Sequence, residues 1–197
     1  MTSSSCARLV NVTVMTAYVA LLRGIAPSNP KMRNDALRDV FERAGLEHVR
    51  TVISSGNVLF DSAEADRDAL EDRVEHALEE HLGAPCSTIV RSRRQITLLA
   101  GLDVFDGYDD GPTQRCNVTF LKRPRAAGSI HLEDEPGATV VAMRNQAVFT
   151  VIDTTGNGTP AVMRELERIC GPQITMRTWR TVHRIRDALQ TDPVEAR

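Results

Sequence analysis

Residues 18–25 are Tyr18-Val19-Ala20-Leu21-Leu22-Arg23-Gly24-Ile25, a nearly continuous apolar run interrupted at Arg23-Gly24. A short apolar run of this kind is typical of a strand covered on both faces of its sheet. Further along the chain, Ser54-Ser55-Gly56-Asn57-Val58-Leu59-Phe60 joins a turn pair to a β-rich segment. We expect residues 49–54 and 58–61 to form a hairpin around a tight primed turn at Gly56-Asn57.

Two helical patterns alternate with these strands. Asn29 can cap a helix that starts at Pro30 and continues with apolar residues at helical spacing until Gly45. A second amphipathic helix is predicted from Asp66 to Leu82, followed by a strand over residues 87–90. The resulting order, β-α-β-β-α-β, is that of a ferredoxin-like unit, an antiparallel sheet with two helices on one face.

The second half of the chain shows a similar pattern. It contains a strand over residues 115–121, a hairpin around Asn145, a helix opened by Thr159-Pro160, a strand over residues 173–176 and a last helix from Trp179. Residues 127–136 have too little apolar periodicity to predict the helix that would complete the unit. We therefore predict an α+β fold with two ferredoxin-like (βαββαβ-type) subdomains, both with antiparallel sheets, and a C-terminal helix.

The predicted organisation has five parts. They are an N-terminal extension (1–16), a first unit with a short linking helix (17–100), a linker rich in Gly and Asp (101–114), a second unit with the C-terminal helix (115–190) and a tail (191–197). Met15 directly precedes the first strong pattern, so we expect that Met1 to Val14 can be deleted without loss of thermal stability.

Composition excludes several classes of protein. The 24 basic and 26 acidic residues give a net charge of -2, so any attraction for nucleic acid must be local. The four cysteines are far apart, with no Cys-x-x-Cys pair and no His at metal-ligand spacing, so neither a zinc site nor a disulfide framework is predicted, and a reducing cytoplasm is favoured. No cofactor and no metal are predicted. No stretch approaches the length of a membrane span.

The opening segments, together with Val118-Thr119-Phe120-Leu121 and the segment Thr175 to Val182, resemble the bacterial family called domain of unknown function 1697. The resemblance extends from about residue 17 to residue 190 and implies a tandem of ferredoxin-like units without an established activity. The chain departs from the family pattern at Ala26-Pro27-Ser28-Asn29, where Asn-Val-Gly-Gly is common, at Thr159-Pro160, and at Thr178. The missing glycines weaken the case for a phosphate-binding loop after Gly24.

Basic side chains provide the candidate binding residues. The C-terminal helix has an apolar stripe formed by Trp179, Val182, Ile185 and Leu189, which leaves Arg180 and Arg184 facing solvent. These two arginines form either a solvated face or, with Arg177, an anion site at the helix N-terminus. Arg23 ends the first strand and Lys31 follows nearby, whereas the Gly56-Asn57 turn has a sufficient backbone explanation. The predicted ligand-binding set is Arg23, Lys31, Ser55, Asn57, Arg177, Trp179, Arg180 and Arg184.

These residues favour a protein that binds a small anionic ligand or nucleic acid through an arginine-lined cleft, with Arg23, Arg177 and Arg180 between the two halves. An enzyme acting on a small anionic metabolite and a structural or oligomeric role are the alternatives. No Ser-His-Asp or Cys-His set can be identified from spacing, so catalysis is neither predicted nor excluded. The sequence leaves the ligand and the oligomeric state open.

Overall fold

The first half of the chain forms a four-stranded antiparallel sheet. The computed structural model describes residues 14–54, 56–126, 130, 132, 137–155 and 158–191. The strands are β1 (Thr16–Leu22), β2 (Glu47–Thr51), β3 (Asn57–Ser62) and β4 (Thr88–Ser92), in the order β2-β3-β1-β4. Because β1 lies inside the sheet and both faces are covered, its residues from Tyr18 to Leu22 are all buried, as the apolar run predicts.

Two helices cover one face of this sheet, α1 (Asn34–Arg43) and α2 (Arg67–Leu82). Their buried residues, among them Leu37, Phe41 and Leu70, pack in one cluster with Tyr18 and Phe60. The predicted start of the first helix was wrong. Asn29 caps only a three-residue 3-10 turn, Pro30–Met32, by accepting a hydrogen bond from the Lys31 N–H, and the extended backbone at Arg33 separates this turn from α1.

The turn predicted at Gly56-Asn57 was also wrong. Asn57 is the first residue of β3, so the loop between β2 and β3 comprises residues 52–56, of which Ser55 lies outside the described residues. Gly56 has a φ of +72°, and a Cβ added there would come within 2.6 Å of Ile25 Cγ1. A glycine is thus required by the close approach of two chain segments as well as by the left-handed backbone.

The second sheet repeats the first. Its strands, β5 (Gln114–Leu121), β6 (Ala138–Arg144), β7 (Ala147–Asp153) and β8 (Ile174–Thr178), have the order β6-β7-β5-β8 and are all antiparallel. The β6–β7 hairpin turns at Asn145 and Gln146, both with positive φ, as a primed two-residue turn requires. Among the described residues, helix α4 (Gly158–Cys170) packs on the face of this sheet that is turned away from the first sheet, in one cluster with Ile130 and Leu132 from the connection between β5 and β6.

Two further helices, α3 (Arg93–Ala100) and α5 (Trp179–Gln190), pack against each other and contribute to a core that both sheets share. This central core contains Val19, Leu21 and Ile89 of the first sheet, Val118, Phe120 and Phe149 of the second, and Ile96, Leu99, Val182 and Ile185 of the two helices. The sheet faces that are turned away from α1, α2 and α4 are therefore buried together in this one core, with α3 and α5.

The architecture is the predicted one, α+β with two ferredoxin-like antiparallel sheets and a C-terminal helix. The boundaries proposed at 101–114 stay a prediction, and most of Met1 to Val14 lies outside the described residues. None of the helices in the described part of the chain is long and apolar enough to cross a membrane.

Candidate functional site

Arg177, predicted to bind a ligand, lies in β8 and reaches across to the first sheet. Its Nε donates to Asn57 Oδ1 at 2.6 Å, and its Nη2 donates to the carbonyl oxygens of Leu22 at 2.8 Å and Gly56 at 3.2 Å. Nη1 donates to Thr175 Oγ1 and to the Met176 carbonyl within its own strand. All five N–H donors of the guanidinium therefore have protein acceptors.

Among the described residues, no carboxylate is a hydrogen-bond partner of this guanidinium. Arg177 as a residue is partly exposed, but its charged end is enclosed by the five acceptors, and burial lowers its pKa to about 10. Asn57, which is 1% exposed, also donates from Nδ2 to the Val52 carbonyl at 3.0 Å. The side chain of Asn57 therefore links the two sheets through Arg177. This contact is a reason for an asparagine at position 57 that the geometry of a turn does not supply.

Arg23 makes a second connection between the two halves. Nη2 contacts Glu167 Oε1 of α4 at 2.6 Å, and Nη1 donates to the Pro172 and Ile174 carbonyls at 2.6 and 3.3 Å. The two side chains are about 30% exposed. Arg23 and Arg177 therefore lie at the same junction between β1 and β8, but both direct their donors to protein acceptors.

The other predicted residues lie elsewhere. Trp179 begins α5 and packs against Phe105 and Phe149, whereas Arg180 and Arg184 are exposed on the opposite side of that helix. Lys31 Nζ donates to the His81 carbonyl at 3.0 Å, beside a cavity of about 530 Å³ between α1 and α2. Arg43, Arg73, His76 and Glu80 also line that cavity. The ligand-binding role of the predicted set stays a prediction.

A buried cluster of four charged side chains was not predicted. Lys122, just after β5, contacts Glu75 Oε1 at 2.5 Å and Glu71 Oε2 at 3.7 Å, both on α2. Arg91 of β4 lies 4.0 Å from Glu71 and donates to the Leu121 carbonyl at 2.6 Å. Lys122, Glu71 and Arg91 have side chains no more than 3% exposed.

The two glutamates of this cluster satisfy a sheet edge. Glu71 accepts from the Val90 N–H at 2.9 Å and Glu75 from the Thr88 N–H at 2.8 Å. β4 is an edge strand, so these amide groups would otherwise lack a partner. Burial raises the pKa of Glu71, and the positive charges of Lys122 and Arg91 oppose that rise. We assign the cluster a structural role, because its charges are used within the protein.

An open groove lined by arginines lies at the start of α2 and α3. Its cavity volume is about 600 Å³, and we call it the arginine groove, defined by Arg67, Arg93, Arg94, Ser92 and Gln95. Arg67 is the first residue of α2, and Arg93 and Arg94 are the first two of α3. Tyr18, Thr16 and Leu98 complete part of its wall.

The capping of α3 places the two adjacent arginines. Ser92 Oγ accepts from the Gln95 N–H at 3.3 Å, and Gln95 Oε1 accepts from the Ser92 N–H at 3.0 Å. This capping box fixes Arg93 and Arg94 in the first turn, where helix N–H groups lack intrahelical partners. The Ser-x-x-Gln spacing at 92–95 is the sequence signal that could have identified these arginines.

The arginines of the groove have few competing partners. Among the described residues, the side chains of Arg93 and Arg67 make only long hydrogen bonds, to the Leu189 carbonyl and to Gln146 Oε1 respectively, both at 3.4 Å. Within the described part of the chain, the side chain of Arg94 has no hydrogen bond or ion pair. Acidic residues near Arg67 are engaged elsewhere, since Asp66 caps α2 and Asp68 pairs with Arg123 at 3.0 Å.

Comparison with known proteins identifies a family but no activity. A family model described as "Protein of unknown function (DUF1697)" matches residues 15–149. The structure of a conserved bacterial protein, SP0830 from Streptococcus pneumoniae, is similar with a TM-score of 0.66 and 19% sequence identity, and the match covers 90% of this chain and 100% of that one. No curated protein matches the chain.

Proposed function

The chain belongs to the DUF1697 family, whose description states no function, and we propose that this protein binds a small anionic ligand in the arginine groove. The observation that carries the proposal is that Arg67, Arg93 and Arg94 line one cavity with no carboxylate among its described lining residues. In a chain with a net charge of -2, such a cavity is a local positive region.

The shape of the groove supports a small ligand more than a polyanion. Its volume of about 600 Å³ is that of a small-molecule site. Guanidinium groups bind phosphate and carboxylate oxygens through paired hydrogen bonds, and the first turn of α3 adds backbone N–H donors beside them. Nucleic acid, by contrast, requires a basic track longer than one such groove.

The chemistry of the lining favours binding over catalysis. The described residues of the groove include no carboxylate, histidine or cysteine, which are the usual general bases and nucleophiles. Tyr18 donates its hydroxyl to the Glu64 carbonyl at 3.0 Å, and Ser92 is used as a helix cap. The remaining polar groups can hold and orient an anion.

Calorimetric titration with inorganic pyrophosphate, citrate and AMP at low ionic strength tests this proposal. We expect at least one of these anions to bind, and the double variant Arg93→Gln/Arg94→Gln to weaken that binding about tenfold or more. Arg180→Gln/Arg184→Gln is the matched control, because it removes the same charge from the exposed face of α5.

Three results would overturn the proposal. The first is that none of the three anions binds, and the second is that both double variants weaken anion binding equally. The third is that a single-stranded oligonucleotide binds more tightly than the anions, with a steep salt dependence that Arg93→Gln/Arg94→Gln reduces. The last result would instead assign the groove to nucleic acid.

A further inference from the structure

A third cavity, on the side of α5 that carries Trp179, has aromatic and acidic residues in place of the basic lining of the arginine groove. It is open to solvent, has a volume of about 510 Å³ and lies between the end of α3, residues 102–110 and the first turn of α5. We call it the aromatic pocket, defined by Phe105, Tyr108, Trp179, Asp103, Asp106 and His183. The Trp179 ring lies 5.3 Å from Phe105 and 4.6 Å from His183, both in edge-on contact, and Tyr108 is 44% exposed.

Carboxylates accompany these rings. Asp103 and Asp106 are exposed and have no side-chain hydrogen bond or ion pair among the described residues. Asp110, which also lines the pocket, accepts from the Cys116 N–H at 3.2 Å and lies 4.0 Å from Arg115 Nε. Burial, followed by the charges of Asp110 and Asp109, raises the pKa of the Cys116 thiol to about 11. Because Asp103, Asp106 and Asp110 all line it, and the first two have no described cationic partner, the pocket has a negative local field.

His183 does not oppose this field at neutral pH. Burial and the charge of Arg186 lower its pKa from the usual 6.5, while Asp187 acts in the other direction. Its imidazole is therefore neutral above that pH. Aromatic faces combined with free carboxylates attract cations and disfavour the anions proposed for the arginine groove.

We propose that the aromatic pocket binds a small organic cation, an ammonium group held against the rings of Trp179 and Tyr108 and neutralised by Asp103 and Asp106. A metal ion fits less well, since the described residues contain no group of three or more His, Cys, Asp or Glu side chains placed to hold one. The rings supply what an alkylated ammonium needs, a polarisable apolar surface with a negative face.

The chain offers a direct reporter for this test, because Trp179 is its single tryptophan. Intrinsic fluorescence is followed during titration with choline, putrescine and 3,3-dimethylbutan-1-ol, which has the shape of choline without the charge. We expect choline or putrescine to change the Trp179 emission with saturation and the neutral alcohol to bind at least tenfold more weakly. The double variant Asp103→Asn/Asp106→Asn should weaken cation binding about tenfold.

Two controls keep the test specific. Asp72→Asn removes an exposed carboxylate from α2, away from the pocket, and should leave cation binding unchanged. Calorimetry with Trp179→Leu, which removes the aromatic face, should show weakened binding, and far-ultraviolet circular dichroism and urea unfolding establish that each variant is folded.

Several outcomes would overturn the inference. Equal binding of choline and its neutral analogue would make the pocket merely apolar, and equal effects of the double variant and Asp72→Asn would make the attraction non-specific. Absence of binding by both cations, or calorimetric binding without any change in Trp179 emission, would remove the assignment to this pocket.

Discussion

The Nε of Arg177 in the second sheet donates to the side-chain oxygen of Asn57 in the first sheet at a distance of 2.6 Å. The two residues are separated by 120 positions in the chain. Around this contact the same guanidinium also donates to the carbonyls of Leu22 and Gly56, so one side chain binds the end of β1 and the start of β3. Arg177 therefore serves to hold the two sheets in register with each other.

Replacing Arg177 should destabilise the protein strongly. Arg177→Met leaves five acceptors without their donor, and we expect the free energy of unfolding to fall by about 2–4 kcal/mol. Arg177→Lys should lower the free energy of unfolding by about half as much, since an ammonium keeps the charge but has three N–H donors instead of five. Urea unfolding measures both, with Arg180→Met as an exposed control. An Arg177→Met variant as stable as the wild type would show that the bridge is dispensable.

Replacing Lys122 should produce a pH-dependent loss of stability. The charge of Lys122 opposes the rise in the pKa of Glu71, so Lys122→Met raises that pKa further. The folded state then keeps a proton that the unfolded state has released, and the free energy of unfolding falls as pH rises above 4.5, the usual value for glutamate. We expect a loss of about 3 kcal/mol or more at pH 8 and a smaller one at pH 5.

The control for this measurement is Arg123→Met. The Arg123–Asp68 pair is more than half exposed, so its removal should change stability little at either pH. A loss for Lys122→Met that is the same at pH 5 and pH 8 would contradict the coupling between Lys122 and Glu71.

The buried thiols should be unreactive at neutral pH. Burial is the main cause that raises the pKa values of Cys86 and Cys116 to about 11, so at pH 8 both remain protonated and enclosed. Of the three cysteines in the described part of the chain, we expect iodoacetamide to modify the partly exposed Cys170 first, and Cys86 and Cys116 only after unfolding in urea, as measured by peptide mass spectrometry. Modification of all three at equal rates in the native protein would be inconsistent with this packing.

The same thiols predict a loss of stability at alkaline pH. Between pH 9 and 11 an unfolded thiol has lost its proton whereas the folded one has not, so the free energy of unfolding should fall, by up to about 1.4 kcal/mol per thiol and pH unit. Replacing both with alanine should flatten this slope, and an unchanged slope would assign it to other groups.

Local patterns predicted the secondary structure well, for physical reasons that particular residues illustrate. The apolar run at Tyr18 is buried on both faces, Thr178 accepts from the Thr181 N–H as the cap of α5, and Asn145 forms a primed turn. The predicted start of α1 was wrong because a capping side chain binds only the next few backbone N–H groups and does not determine whether the helix continues. Asn29 reaches Lys31, and nothing in its chemistry decides the backbone at Arg33.

The candidate sites were less predictable because they depend on contacts between distant segments. Nothing near Arg177 in sequence identifies Asn57 and Leu22 as its acceptors, and nothing near Lys122 identifies Glu71. The arginine groove could be predicted from the sequence only in part. The Ser92-x-x-Gln95 spacing predicts where Arg93 and Arg94 lie on α3, but only the fold brings Arg67 beside them.

The core shared by the two sheets has a consequence for how such a chain can be assembled. Each half, alone, would expose the apolar face that the other half now covers, including Val19 and Leu21 on one side and Val118 and Phe149 on the other. Two separate chains would have to find each other at a rate set by their concentration. Because one chain carries both sheets, with residues 101–113 between α3 and β5, this bimolecular encounter is replaced by an intramolecular one.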